Sequence, residues 1–168
     1  MKKRRAMTIA VYAGTFDPLT EGHVSVVRQA VRLFAHVRVL VAVHPTKKPL
    51  FTADERVAMI REALAMMPTV SVAWTSKLVI EHARAIGATH LVRGLRDAAD
   101  AAWETDLARQ NRELAPDLST IMLPAEAHLA KVSSSELKAR AARGDDLEPW
   151  CPPSIAAHLR TRIAEQAR

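Results

Sequence analysis

Four short strings in this 168-residue chain carry residue types that handle phosphate. The first is Gly14-Thr15-Phe16-Asp17-Pro18, followed by Gly22-His23. Gly14 permits close backbone approach and Pro18 stiffens the loop. Gly22 lets the chain enter a helix beside a ligand, with His23 in the first turn. A helix start there offers free N–H groups and the positive end of the dipole, both suited to an anion. The second string, His44-Pro45-Thr46-Lys47-Lys48-Pro49, adds two ammonium groups. The third, Arg93-Gly94-Leu95-Arg96, places a glycine between two residues able to grip phosphate with paired N–H donors. The fourth, Val132-Ser133-Ser134-Ser135-Glu136, is a helix cap whose hydroxyls and N–H groups also fit an anion. Taken singly, each has a plain structural reading: a capping histidine, a solvated lysine pair, two surface arginines, a serine cap. The glycine spacing matches neither the dinucleotide fingerprint nor the Walker motif, which weighs against hydride transfer and P-loop hydrolysis.

The elements that must position these strings are legible from periodicity. Residues 8–13 form a short β-branched run that reads as a buried strand. Val24, Val27, Val31 and Phe34 recur at helical spacing. A second strand covers 37–43, and Thr52-Ala53-Asp54-Glu55 is a capping box opening a helix to about Met66. A third strand at 70–74 precedes a helix from about Lys77 that Gly87 ends in a left-handed conformation. A short fourth strand at 90–92 leads into a long polar helix over about 98–114, and a fifth strand covers 120–123. Ser133 and Glu136 form a second capping box for a helix that Gly144 stops. Pro152-Pro153 opens a terminal helix over about 152–166. The alternation predicts one α/β domain spanning 1–168, a Rossmann-like doubly wound parallel sheet of about five strands. In such sheets ligands bind in the loops at the carboxyl ends of the strands, where the phosphate-handling strings fall.

Composition narrows the function classes. Apolar residues are 49% and charged residues 25%, a globular balance that excludes disordered and collagen-like chains. The net charge is +6, of which Lys2-Lys3-Arg4-Arg5 supply four, so the excess sits in a basic tail at 1–6 that reads as solvated. Aromatics at 4% are too few for a stacking platform, so no nucleic-acid partner is expected. The single cysteine, Cys151, excludes an internal disulfide and fits a reducing compartment. No cleavage pattern follows the apolar start, and the run at 37–43 contains Arg38 and is too short to span a bilayer. A cytoplasmic chain without a membrane partner is expected.

The four strings in this order resemble the bacterial phosphopantetheine adenylyltransferases, nucleotidyltransferases with the T/H-x-G-H motif. The resemblance runs from about Thr8 to the terminal helix. It implies transfer of the adenylyl group of ATP to 4′-phosphopantetheine, giving dephospho-CoA and pyrophosphate in coenzyme A biosynthesis. By the same resemblance His23 and Lys47 are the catalytic groups, supplying positive charge to the transferring phosphoryl. Thr15, Lys47, Val79 and Arg93 would hold the acceptor. Thr15, Phe16, His23, Gly94, Leu95, Arg96, Glu104, Val132, Ser133, Ser134 and Ser135 would surround ATP. No side chains are expected to cage a metal, Mg²⁺ arriving on the triphosphate, and the assembly implied is a homohexamer. Three departures stand out: Ala13 replaces a usual proline, Ala101-Ala102-Trp103 replaces an aromatic and acidic segment, and 127–131 lacks a usual aromatic. They leave open a sibling enzyme using another phosphorylated acceptor or CTP, and a non-catalytic nucleotide-binding descendant.

Overall fold

The structure is a computed structural model that describes residues 8–166. The basic tail and the last two residues lie outside that range. Five strands form one parallel sheet: β1 (Ile9–Gly14), β2 (His36–Ala42), β3 (Val70–Thr75), β4 (His90–Leu95) and β5 (Ser119–Pro124). Their spatial order is β3-β2-β1-β4-β5. The chain winds outward from β1 through β2 to β3, then returns to the other side of β1 for β4 and β5. The switch point therefore lies between β1 and β4, where the carboxyl ends of a parallel sheet open a crevice.

Period-two alternation divides each strand between two cores. Ala10 and Tyr12 of β1, with Val37, Val39 and Val41 of β2, face α1 (Glu21–Leu33), α2 (Ala53–Ala63), α5 (Ser134–Arg143) and α6 (Pro153–Gln166). Val11, Ala13 and Leu40 face the opposite side, against Ile80 and Ala83 of α3 (Val79–Ala85). Both faces are covered, which is what a doubly wound sheet requires. The fourth helix, α4 (Ala98–Leu114), buries only Glu104 and leaves Trp103 and Leu114 exposed, as its polar sequence requires.

Most boundaries agree with the periodicity within a residue or two. Three differ for physical reasons. Helix α1 begins at Glu21 because Thr20 caps it, ahead of the apolar stripe that marked it in the sequence. Strand β4 continues through Arg93, Gly94 and Leu95, paired with Met122, Leu123 and Pro124 of β5. Those residues carry no apolar pattern, so only the ladder reveals them as strand. Helix α3 starts at Val79 with Leu78 as an N-cap that makes no side-chain hydrogen bond. The box at Thr52 and Glu55 is formed in both directions. At Ser133 only half of the expected box exists: Ser133 Oγ accepts from Glu136 N–H, while the Glu136 carboxylate pairs with Arg140 and Arg143. Gly87 (φ 69°) and Gly144 (φ 79°) end their helices in the left-handed region, as expected.

Candidate active site

A cavity of about 620 Å³ opens at the carboxyl ends of β1 and β4. All four phosphate-handling strings reach it: Thr15, His23, Lys47, Arg93 and Ser133, Ser134 and Ser135 lie on its wall. Phe16, Gly94, Arg96, Glu104 and Val132 line it as well. Two expected residues do not. Val79 packs on the far side of the sheet, beside Ile80 and Ala83, and Leu95 is held in the β4–β5 ladder. Neither residue is among those lining the cavity.

His23 is fixed by a reciprocal cap. Its N–H donates to Thr20 Oγ1 at 3.4 Å, and Thr20 N–H donates to its Nδ1 at 3.0 Å. Accepting at Nδ1 leaves the proton of the neutral ring on Nε2, so the ring retains one N–H donor. Burial, and then the Arg96 charge, push its pKa down from 6.5 to about 4. His23 is therefore a neutral hydrogen-bond donor at physiological pH, where a charged group was expected. Its ring is wedged edge-on against Phe16 at 5.0 Å between centroids, and Phe16 in turn meets Tyr12 at 5.3 Å. At the first turn of α1, Glu21 N–H is taken by Trp150 O at 2.8 Å and His23 N–H by the cap. Gly22 N–H remains, and Gly22 lines the cavity.

Arg93 is held on two sides. Nε and Nη2 donate to the two carboxylate oxygens of Glu104 at 2.5 and 2.7 Å, and Nη1 donates to Ala13 O at 2.9 Å. Three of the five guanidinium N–H donors are used, and two remain to meet a ligand. Both Glu104 oxygens are thus spent on aiming Arg93. Arg96 makes a bidentate pair with Asp100 at 2.7 and 3.0 Å, which raises its pKa. Gly94 fits between β4 and α1: a Cβ there would lie 3.0 Å from Val26 Cγ2. The glycine is demanded by packing as well as by access.

The serine string also divides its work. Ser133 Oγ caps α5, and Ser134 Oγ donates to Pro18 O at 2.8 Å, tying α5 to the first loop. Ser135 is exposed and lines the cavity with Ser134, while the Glu136 amide is taken by the cap. Leu129, buried in a short 3₁₀ turn (Ala127–Leu129), fills the wall where the segment lacks an aromatic.

Three residues that sequence reasoning passed over hold these walls together. Asp17 is buried and accepts from Leu50 N–H at 2.8 Å and Phe51 N–H at 3.0 Å. Its carboxylate also pairs with Lys138 of α5 at 3.3 Å, and Lys138 lines the cavity. Arg56, buried on α2, donates to Thr15 O at 2.8 Å. Leu50, just beyond Lys47 and Lys48, is gripped twice, since its carbonyl accepts from Arg162 of α6 at 2.7 Å. Asp17 sits in the same string as Thr15, but its partners are 33 and 121 residues away in sequence. No local spacing could reveal them. Among the described residues no cluster of three or more metal-binding side chains forms. Cys151 lies away from the cavity; burial and then the Glu21 charge raise its pKa to about 11, consistent with a structural thiol. Among the same residues no helix is long and apolar enough to cross a membrane.

The comparisons with known proteins agree with this geometry. Residues 11–140 match the cytidylyltransferase-like family. A protein of Herpetosiphon aurantiacus named phosphopantetheine adenylyltransferase is 47% identical over 154 residues, covering 92% of this chain and 93% of its own. A Brucella ovis protein of the same name is 44% identical over 162 residues, covering 94% and 99%. The fold alone is shared with a bifunctional NMN adenylyltransferase/ADP ribose pyrophosphatase from Francisella tularensis. That structure aligns at a TM-score of 0.72 and 14% identity over 94% of this chain and 50% of its own. Identity at this level over nearly the full length, with the shared fold beneath it, places the chain in the phosphopantetheine adenylyltransferase family of cytidylyltransferase-like proteins.

Proposed function

We propose that the protein transfers the adenylyl group of ATP to 4′-phosphopantetheine, releasing pyrophosphate and forming dephospho-CoA. The observation that carries this reading is the convergence of His23, Lys47, Arg93, Arg96 and Lys138, with two helix starts, on one cavity at the switch point. The acceptor phosphate is already a nucleophile, so no serine, cysteine or general base is needed. An acceptor phosphate oxygen attacks the α-phosphorus, the bond to the bridging oxygen breaks, and pyrophosphate leaves. Catalysis is then positioning plus electrostatic stabilisation of the transferring group.

Each group has a part that its geometry suits. His23 Nε2–H donates to an α-phosphoryl oxygen as a neutral donor, held in place by Thr20. Lys47, on a loop anchored at Leu50, bridges the acceptor phosphate and the transferring phosphoryl. Arg93 places the acceptor phosphate with its two remaining donors, aimed by Glu104. Thr15 stands between the two substrates, its carbonyl fixed by Arg56. The amides of Ser134 and Ser135, with Lys138, face the leaving pyrophosphate. Mg²⁺ belongs to this proposal as a companion of the triphosphate, where it would neutralise phosphate charge. The carboxylates on the cavity wall are committed elsewhere, Asp17 to Lys138, Asp100 to Arg96 and Glu104 to Arg93. The phosphates themselves, with water, would hold it. A homohexamer in the cytoplasm completes the proposal. Met66, Trp103 and Leu114 leave apolar surface available for contact between copies.

The test is pyrophosphate release from ATP or CTP with a panel of acceptors: 4′-phosphopantetheine, nicotinate mononucleotide and glycerol phosphate. Turnover is expected with ATP and 4′-phosphopantetheine. Preference for another pair would move the assignment to a sibling reaction, and absence of turnover with every pair would end it. Light scattering checks the hexamer.

A further inference from the structure

A second cavity, about 490 Å³, opens at the outer edge of β3, toward the amino ends of β2 and β3. Arg38 of β2 and Arg61 of α2 both line it. Among the described residues neither arginine forms an ion pair. Arg38 Nε donates to Ser71 Oγ at 2.7 Å, and Arg61 Nη2 donates to Val72 O at 2.9 Å. Both keep further N–H donors with no protein acceptor among the described residues. The Ser71 hydroxyl is neutral and leaves the charge in place, and it is also shared with His36 Nε2 at 2.6 Å. The surroundings are electrostatically unfavourable to the Arg38 cation. The pKa of Arg38 is lowered by burial and then by Arg61, and that of His82 by its own burial and then by Arg38. Cations gathered without an acid carry a repulsion that a bound anion would relieve.

The sheet edge adds a donor. Val37 N–H bonds Thr69 O and Val43 N–H bonds Thr75 O, so β3 faces β2 through its odd-numbered residues. Val70, Val72 and Trp74 therefore turn their backbone groups outward. Met67 O already takes Val70 N–H at 3.0 Å, and Arg61 takes Val72 O, leaving Val72 N–H on the cavity wall. The same occupancy opposes an added peptide strand, which needs those outward groups free. A small anion needs only the donors that remain.

We propose that this edge cavity is a second oxyanion site, taking a phosphate-class dianion between Arg38, Arg61 and the Val72 amide. It is separate from the cavity at the switch point and does not depend on the reaction proposed there. Planar guanidinium forks match tetrahedral phosphate oxygens in pairs.

The test is calorimetric titration of the full chain with inorganic phosphate, and in a parallel arm with pyrophosphate. Tighter binding of pyrophosphate would name the product of the proposed reaction as the source, and tighter binding of phosphate the free ion. Because the switch-point cavity is also built for phosphate, the reading is stoichiometric. Native protein should bind at two sites, and an Arg38→Gln/Arg61→Gln variant at one, with adenylyl transfer unaltered. Arg38→Gln alone should weaken the edge site roughly tenfold or more, the scale of one charge-assisted hydrogen bond. The backbone amide resonance of Val72 should move on phosphate addition in native protein, a readout that does not need the variants to fold. Unchanged stoichiometry in the double variant, or a Val72 signal that stays still at saturating phosphate, would overturn the proposal.

Discussion

His23 shows how one side chain can be a donor without being a cation. The pKa of about 4 lies below the ordinary 6.5, so the unfolded chain takes up the proton first as pH falls. Stability should therefore decline between pH 6.5 and pH 4 and this contribution should level off below that, by roughly 3 kcal/mol for a displacement of this size. Chemical denaturation of native and His23→Asn protein across that window checks it: the variant should show the shallower acid limb. For catalysis, His23→Ala should lower kcat by about 10²–10³-fold, the scale of removing one oxyanion donor, in a protein that still folds. Near-native turnover would remove His23 from the proposed mechanism. Glu104 works one step away. Glu104→Gln leaves a single oxygen for Arg93, so KM for the acceptor should rise while KM for ATP moves little. An effect on ATP alone would return Glu104 to the nucleotide side, where the family resemblance had placed it.

At the scale of elements, the walls of the cavity are separate loops joined by buried polar groups. Asp17 links the loop after β1, the loop after β2 and helix α5 through three contacts. Asp17→Asn puts an amide N–H₂ against one of those backbone N–H donors. It should cost about 1–3 kcal/mol of stability, as an unpaired buried donor does. It should also lower kcat further than stability explains, because the Lys47 loop loses its anchor at Leu50. Equal kcat in the folded variant would show that Arg162 alone holds the loop. The contact between β4 and α1 gives a cleaner test of packing. Gly94→Ala forces a methyl to 3.0 Å from Val26 and should cost about 1–3 kcal/mol, the cost of overpacking. Val26→Ala in the same chain should restore part of it, a coupling that unfolding of the single and double variants would measure.

For the molecule as a whole, the sheet order decides where function can sit. Gly14 ends β1 and Arg93 lies in β4, 79 residues later in the numbering, yet Arg93 reaches Ala13 because the two strands are neighbours across the switch point. Charge on the whole chain matters less. Deleting residues 1–5 removes four of the six excess positive charges, and among the described residues no cavity-lining residue precedes Tyr12. Turnover should survive the truncation, while any polynucleotide affinity falls and depends steeply on salt. Parallel assays of pyrophosphate release and DNA binding at two salt concentrations decide the matter. Salt-resistant, sequence-selective binding by the truncated chain without turnover would favour a binding protein over an enzyme.

The sequence by itself determined the layers and the chemistry. β-Branched runs alternating with helical stripes specify a parallel sheet with two covered faces, because buried strands must be apolar on both sides. Thr52, Gly87 and Gly144 set helix ends through local capping and left-handed turns that need no tertiary contact. The strings around His23, Lys47, Arg93 and Ser133 carry residue types suited to phosphate, which is legible without a fold. What those side chains spend their hydrogen bonds on was decided only by the tertiary structure. Glu104 aims Arg93, Asp17 anchors Leu50, and Ser133 and Ser134 are occupied by a cap and by Pro18, all through contacts that depend on how strands and helices are brought together. The protonation of His23 follows the same rule, since burial against Phe16 and the approach of Arg96 exist only once the chain has folded.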